Sequence, residues 1–192
     1  MLARLDITDS TKVLDVGSQT LQFRTELQPY IDREIFAPLR SRGAMIIHLD
    51  AQVAPGVDIV GDITADEFDI GEVRAFDVVI CTNLLEHVLA RTQTIQRLEA
   101  VCAEHLFVTV PGYFPYHEDP IDTMYRPTRG QLVADVIEAA PAFEAVLTKT
   151  IHVRDSKWYL TRKAQCRRFI PPLWWRTTAA LFKRQPLTDA TL

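Results

Sequence analysis

Three aspartates stand near the ends of short apolar runs. Asp15 lies in Lys12-Val-Leu-Asp-Val-Gly17, Asp50 closes Ala44-Met-Ile-Ile-His-Leu-Asp50, and Asp62 closes Val57-Asp-Ile-Val-Gly-Asp62. An ionised carboxylate only accepts hydrogen bonds, and its two oxygens can take both hydroxyls of a ribose diol. A lone aspartate in such a place can also just cap a turn; three at successive run ends point to a ligand edge. Asn83, after Phe76-Asp-Val-Val-Ile-Cys81, adds a neutral donor and acceptor. His87 and His117 are the candidates for proton transfer, because imidazole titrates nearest neutral pH. His117 sits in Pro111-Gly-Tyr-Phe-Pro-Tyr-His-Glu-Asp-Pro-Ile-Asp122-Thr-Met-Tyr-Arg-Pro127, a loop long enough to expect a function for it. His117, Asp119 and Asp122 are of types that ligate hard cations, but with no further ligand in view no metal site is expected. Equally, His117 and Asp119 can cap turns around Pro115 and Pro120.

These residues need strands to hold them. Runs at 12–17, 44–50, 57–62, 76–81 and 106–110 are short, apolar and stopped by Gly, Asp or Pro, the pattern of strands buried on both faces. Residues 23–42 read as helical, interrupted by Pro29 and Pro38. A helix capped by Thr92 carries the stripe Ile95, Leu98, Val101 and Cys102. Thr128 and Gln131 form a capping box ahead of Leu132, Val133, Val136 and Ile137. Phe143–Val153 and Trp158–Lys163 read as a final strand pair. Strands alternating with helices imply an α/β fold with a parallel sheet and right-handed crossovers, whose ligands bind beyond the carboxyl ends of the strands.

Composition narrows the class. The 192 residues are 47% hydrophobic and 24% charged, which excludes disordered and low-complexity chains and suits one domain with a full core. No apolar run approaches bilayer-spanning length, and the first residues carry no signal-peptide core. Three cysteines without metal or disulfide spacing fit a reducing cytoplasm. Residues 1–150 hold 12 basic against 23 acidic side chains, and residues 151–192 hold 9 against 2. The acidic body argues against nucleic acid as a partner. The tail, with Trp174, Trp175 and Phe182 among its cations, suggests a packed helix or peripheral membrane contact.

In order along residues 12–140, Val13-Leu-Asp-Val-Gly17, Asp50, Gly61-Asp62 and Phe76-Asp-Val-Val-Ile-Cys-Thr-Asn-Leu-Leu-Glu-His-Val88 resemble the class I S-adenosylmethionine (SAM)-dependent methyltransferases of the type 11-like group. The Pro-Tyr-His-x-Asp-Pro-Ile-Asp segment resembles a branch found in bacterial surface-glycan gene clusters. The resemblance implies a three-layer, Rossmann-like sandwich with a seven-stranded, mostly parallel sheet and an antiparallel last strand, over a domain of residues 1–166 and a tail of 167–192. It implies SAM as cofactor and S-adenosylhomocysteine as product. Asp15, Gly17 and Ser18, with Gln19 in the same loop, would cradle the methionine end; Asp50 would bind the ribose; Asp62 and the backbone of Ile63 would reach the adenine; Asn83 would lie beneath the methionine. His117 and His87 would face a small-molecule or glycan-precursor acceptor, and Arg24 would either meet the SAM carboxylate or lie on a helix surface. The resemblance implies a cofactor-covering helix ahead of the first strand, where this chain has about a dozen residues; the expectation is an open site, or a lid lent by the tail or by a second subunit, the latter making a homodimer.

One departure matters. The family's loop carries three alternate glycines, and here two of those positions are Gln19 and Leu21. A scaffold that no longer binds cofactor is therefore one rival reading. A nicotinamide-dependent oxidoreductase is the other, but it requires a Gly-x-Gly-x-x-Gly turn and an acidic residue about 20 positions on. Asp50 stands 33 residues beyond Gly17.

Overall fold

The computed structural model describes residues 1–67, 69, 71–117, 121–152 and 175–186. Seven strands form one sheet in the order β3-β2-β1-β4-β5-β7-β6. They are β1 (Lys12–Val16), β2 (Met45–Asp50), β3 (Ile59–Val60), β4 (Phe76–Thr82), β5 (Cys102–Tyr113), β6 (Phe143–His152) and β7 (Arg176–Arg184). β1 to β5 pair in parallel, and β7 runs antiparallel between β5 and β6. This is the expected three-layer sandwich with an antiparallel last strand.

Alternation along the central strands splits the core. Leu14, Val16, Val79 and Cys81 face α2 (Arg91–Val101) and α3 (Arg129–Ala139), where Ile95, Leu98, Leu132 and Val136 meet them. Val13, Val78 and Ile80 face the opposite layer, against Phe36 and Leu39. That second layer is irregular. Phe23–Leu27 and Asp32–Phe36 are wide turns with i→i+5 bonds, such as Gln28 N–H to Phe23 C=O at 2.8 Å, and the helix breaks at Gln28, before Pro29. Pro38 causes no break. It sits in the first turn of α1 (Ala37–Arg40), where the missing N–H is harmless.

Two further sequence expectations need correction. Thr92 does not cap α2, which starts at Arg91 after Ala90 with no side-chain cap. The capping box on α3 is present, with Thr128 and Gln131 each accepting the other's backbone N–H. The larger correction concerns the chain's end. Of the expected strand pair, Phe143–His152 is β6, but β6 pairs with Arg176–Arg184; the segment 158–163 lies outside the described residues. The expected tail helix is therefore a strand over 176–184. Thr178 to Phe182 are all buried because β7 has a strand on each side and a layer on each face, so the run loses the period-2 alternation that marks a half-exposed strand. Trp175 and Phe182 are buried too, which leaves neither free for a membrane surface; Trp174 is outside the described residues. Among the described residues, no helix is long and apolar enough to cross a membrane.

Candidate functional site

The loop leaving β1 turns at Gly17, whose φ of +73° requires the left-handed region. A Cβ there would stand 3.1 Å from Leu84 Cδ1, so the turn also lies against the segment that follows β4. The N–H groups of Gly17 and Ser18 both donate to Leu49 C=O, at 2.9 and 3.0 Å. Gln19 then adopts φ +58°, the conformation a glycine takes most easily, at a cost of about 1–3 kcal/mol. Its backbone N–H donates to Asp50 Oδ2 at 2.7 Å, and its side-chain Oε1 accepts from Gln52 Nε2 at 3.2 Å. At the third glycine position, Leu21 is accommodated from across the cleft. A Cβ on Gly56 would lie 2.6 Å from Leu21 Cβ, so the missing side chain is supplied by the facing loop.

Arg24 ties these two loops together. It is neither a surface residue nor a free cation: its Nη1 donates to Ser18 C=O (2.9 Å) and Gln19 C=O (2.6 Å), and its Nη2 to Gly56 C=O (2.7 Å). Asp15 is buried beneath the loop, with Oδ2 2.8 Å from His48 Nδ1 on the neighbouring strand, and His48 stacks edge-on to Phe36. Burial pushes the Asp15 carboxyl up, and the His48 contact opposes this without cancelling it. Asp50 is nearly buried at the tip of β2, accepting from Gln19 and, through Oδ1, from Gln52 N–H at 3.1 Å. Two of its acceptor positions remain. Asp62 is exposed and closes a turn onto Thr64, through the backbone N–H (2.8 Å) and the hydroxyl (2.7 Å); Ile63 beside it is buried. Asn83, exposed with φ +50°, is fixed by its N–H to Thr109 C=O at 2.8 Å. Asp15, Gly17, Ser18, Gln19 and Asp50 thus form one connected cradle, with Asn83 and Asp62 at adjacent strand ends.

The long loop after β5 supplies the facing wall. It leaves at Gly112, where a Cβ would stand 2.7 Å from Thr178 Oγ1, and it returns at Pro127, whose C=O accepts from that same hydroxyl at 2.9 Å. Asp122 organises the interior. It accepts from the backbone of His117 (3.1 Å) and Met124 (2.8 Å) and from both ends of the Arg126 guanidinium (3.0 and 2.6 Å). Burial would raise the Asp122 carboxyl, but Arg126 and these N–H donors outweigh it and hold it at about 2. Thr123 donates twice to Glu86 C=O, which pins the loop to the 3₁₀ turn Leu85–His87.

This brings His87 and His117 together, edge to face, with ring centroids 5.0 Å apart. His117 also meets Phe114, and Phe114 packs on Trp175. Partial burial lowers the His117 pKa, against the opposing pull of Asp122. Beside them is Glu86, fully buried, with neither carboxylate oxygen hydrogen-bonded among the described residues. Burial pushes it up to about 8. Sequence reasoning quoted Glu86 without assigning it, although a charge inside Leu84-Leu-Glu-His-Val88 is the kind of interruption that marks a site. Gly56 went unnoticed, since its role depends on a contact across the cleft. Asp119 lies outside the described residues, and Asp122 is committed to Arg126.

Neither a protein-family model nor a curated protein sequence matches the chain. Solved structures do. A chain from the complex between the Haloferax volcanii Trm112 methyltransferase activator and a proposed methyltransferase is 16% identical at TM-score 0.61, covering 96% of this chain and 87% of that one. The Burkholderia thailandensis 1,6-didemethyltoxoflavin-N1-methyltransferase, with bound 1,6-didemethyltoxoflavin and S-adenosylhomocysteine, is 17% identical at TM-score 0.57, covering 91% and 71%. The fold is that of the class I methyltransferases. The [4+2]-cyclase SpnF shares it as well, at 15% identity and TM-score 0.60 over 94% of this chain and 76% of that one. The fold alone therefore leaves the reaction open.

Proposed function

We propose that the chain is a SAM-dependent methyltransferase of the cytoplasm acting on a small-molecule or glycan-precursor acceptor. The observation that supports it most is the Gly17–Gln19 turn. A glutamine held at φ +58° by Asp50 keeps the cradle's path where the glycine is missing, which is hard to explain in a loop with nothing to bind. The residues present fit the cofactor. Gly17 brings bare backbone to the cleft, Asp50 retains acceptor positions for a diol, and Asn83 stands exposed at the next strand end. SAM, when bound, supplies an electrophilic methyl group on a sulfonium, so the chain's task is chiefly alignment and exclusion of water. Where the acceptor is a hydroxyl, His117 and His87 are the side chains placed to receive its proton. The glycan class rests on the resemblance of the His117 loop.

A second reading has one observation behind it. The Gln19–Gln52 side-chain contact spans the cleft beside Asp50, as in a scaffold that has given up its cofactor. Calorimetric titration with SAM, S-adenosylhomocysteine and NAD separates the two. Micromolar binding of the first two alone is the expected result. Binding of none would leave the scaffold reading in place.

A further inference from the structure

We propose that Glu86, His87 and His117 form a binding site for one divalent first-row transition ion, of the manganese-to-zinc class. Their ligand atoms all lie within 4.8 Å of one another, at the mouth of the same sheet edge as the Gly17 turn.

Among the described residues, the hydrogen-bond arrangement leaves the Glu86 carboxyl unsatisfied beside the two rings. His87 Nδ1 faces the C=O of Ile121, an acceptor, so Nδ1 carries the proton and Nε2 carries the lone pair. That Nε2 is 3.8 Å from Glu86 Oε1. At that distance the ring and the carboxyl make no hydrogen bond to each other. Ligands each about 2.1 Å from a common ion sit roughly 3–4 Å apart, which matches this spacing. Glu86 is completely shielded from solvent, and neither of its oxygens has a hydrogen-bond partner among the described residues. A buried carboxylate in this condition is costly unless a cation or a proton joins it.

The surrounding charges favour the cation. Asp122 and Arg126 neutralise each other in a bidentate pair, so an ion at this place would meet Glu86 as its anionic partner, displacing the proton that burial favours there. The outer contacts are those of a metal site, in which a ligating histidine is oriented by a carbonyl or carboxylate behind it. His87 has Ile121 C=O in that role; His117 Nδ1 lies 3.2 Å from Asp122 Oδ2 without a hydrogen bond to it. Imidazole with carboxylate and no thiolate suits the manganese-to-zinc series, whereas calcium takes oxygen ligands throughout. Three protein ligands leave positions open, and an oxygen bound there loses its proton to water more readily. That last consequence rests on the methyltransferase reading; the ion site does not. With an ion bound, His87 and His117 would hold it instead of acting as bases, and the ion would supply Lewis-acid polarisation of an acceptor oxygen.

The test uses the untagged full chain, stripped with chelator and titrated calorimetrically with Mn²⁺, Co²⁺ and Zn²⁺ in turn, with the visible spectrum of the Co²⁺ complex as a ligand-field signature. The expected result is one ion per chain for at least one metal. Glu86→Gln, His87→Ala and His117→Ala each weaken it at least ~10-fold, since even outer-shell losses reach that size. His105→Ala, on a distant part of β5, leaves it unchanged. Glu86→Gln keeps the shape and removes a buried charge, and His87→Ala provides the same reading should that variant not fold. No binding of any of the three ions, or binding indifferent to Glu86→Gln and His87→Ala, overturns the proposal. Titrating SAM in the presence of chelator keeps the two claims apart. Metal binding without SAM binding preserves the ion site and defeats the methyltransferase reading; SAM binding without metal binding does the reverse.

Discussion

Asp50 joins the two functions of the cradle, since it holds the loop and is placed to hold the ligand. Its Oδ2 accepts the Gln19 N–H at the strained turn, and its Oδ1 accepts from Gln52. Hydrogen bonds to a charged group contribute about 1.5–3 kcal/mol each. Asp50→Ala is therefore expected to weaken SAM binding roughly 10- to 100-fold by titration, while far-UV circular dichroism stays unchanged. Undiminished affinity would remove Asp50 from the site. Asp50 was legible in the sequence, because a carboxylate closing an apolar run can be read without contacts. The backbone state of Gln19 was not: nothing about glutamine signals φ +58°, and only Asp50 and Gln52 across the cleft explain it. Arg24 shows the same limit. Its type invites a ligand role, yet the loop carbonyls of Ser18, Gln19 and Gly56 take its guanidinium.

At the scale of elements, the cradle depends on two loops fitting without a gap. Gly56 has φ +81°, and any Cβ on it would collide with Leu21 Cβ at 2.6 Å and Arg24 Nη2 at 2.9 Å. Gly56→Ala is expected to cost about 1–3 kcal/mol in urea unfolding, from the strained backbone together with the clash. Adding Leu21→Gly should recover the part of the steric share due to Leu21 Cβ and leave the Arg24 contact and the backbone share. Two variants that simply add would show that the loops do not touch. Gly112→Ala makes the corresponding prediction for the acceptor wall. The added methyl meets Thr178 Oγ1 at 2.7 Å and forces it from Pro127 C=O, so proteolysis within 113–126 should accelerate while the rest of the chain resists. The strands carrying these loops were readable because β1, β2 and β4 are apolar runs with clear stops. β7 was not, since Thr177-Thr-Ala-Ala-Leu-Phe182 lacks alternation and its small residues read equally well as helix.

Across the whole molecule, the position of β7 decides how the charge asymmetry should be understood. A basic end on an acidic body suggests an appendage that can be spared. Instead Arg176–Arg184 lies between β5 and β6 and gives each its partner. Arg184 uses its cation inside the fold, donating to Cys102 C=O at 3.0 Å and Glu99 C=O at 2.5 Å, where the carbonyls at the end of α2 favour positive charge, and it lies over the Phe143 ring. Phe182 is fully buried against the α2/α3 layer, and truncating such a side chain costs about 3–5 kcal/mol. Two free thiols report on the same core. Cys81 and Cys102 are both inaccessible, and burial pushes both thiols up, Cys102 to about 12, so neither forms a thiolate at neutral pH. With three cysteines in the sequence, at most one should react with a thiol reagent in the native chain at pH 8. Phe182→Ala should lower the denaturant midpoint sharply and move the appearance of the other two thiols with it. Ending the chain at Trp175 should expose all three without denaturant, because β5 and β6 would each lose the strand between them. A truncated chain that still protects two thiols and melts like the full one would show that the sheet closes without β7.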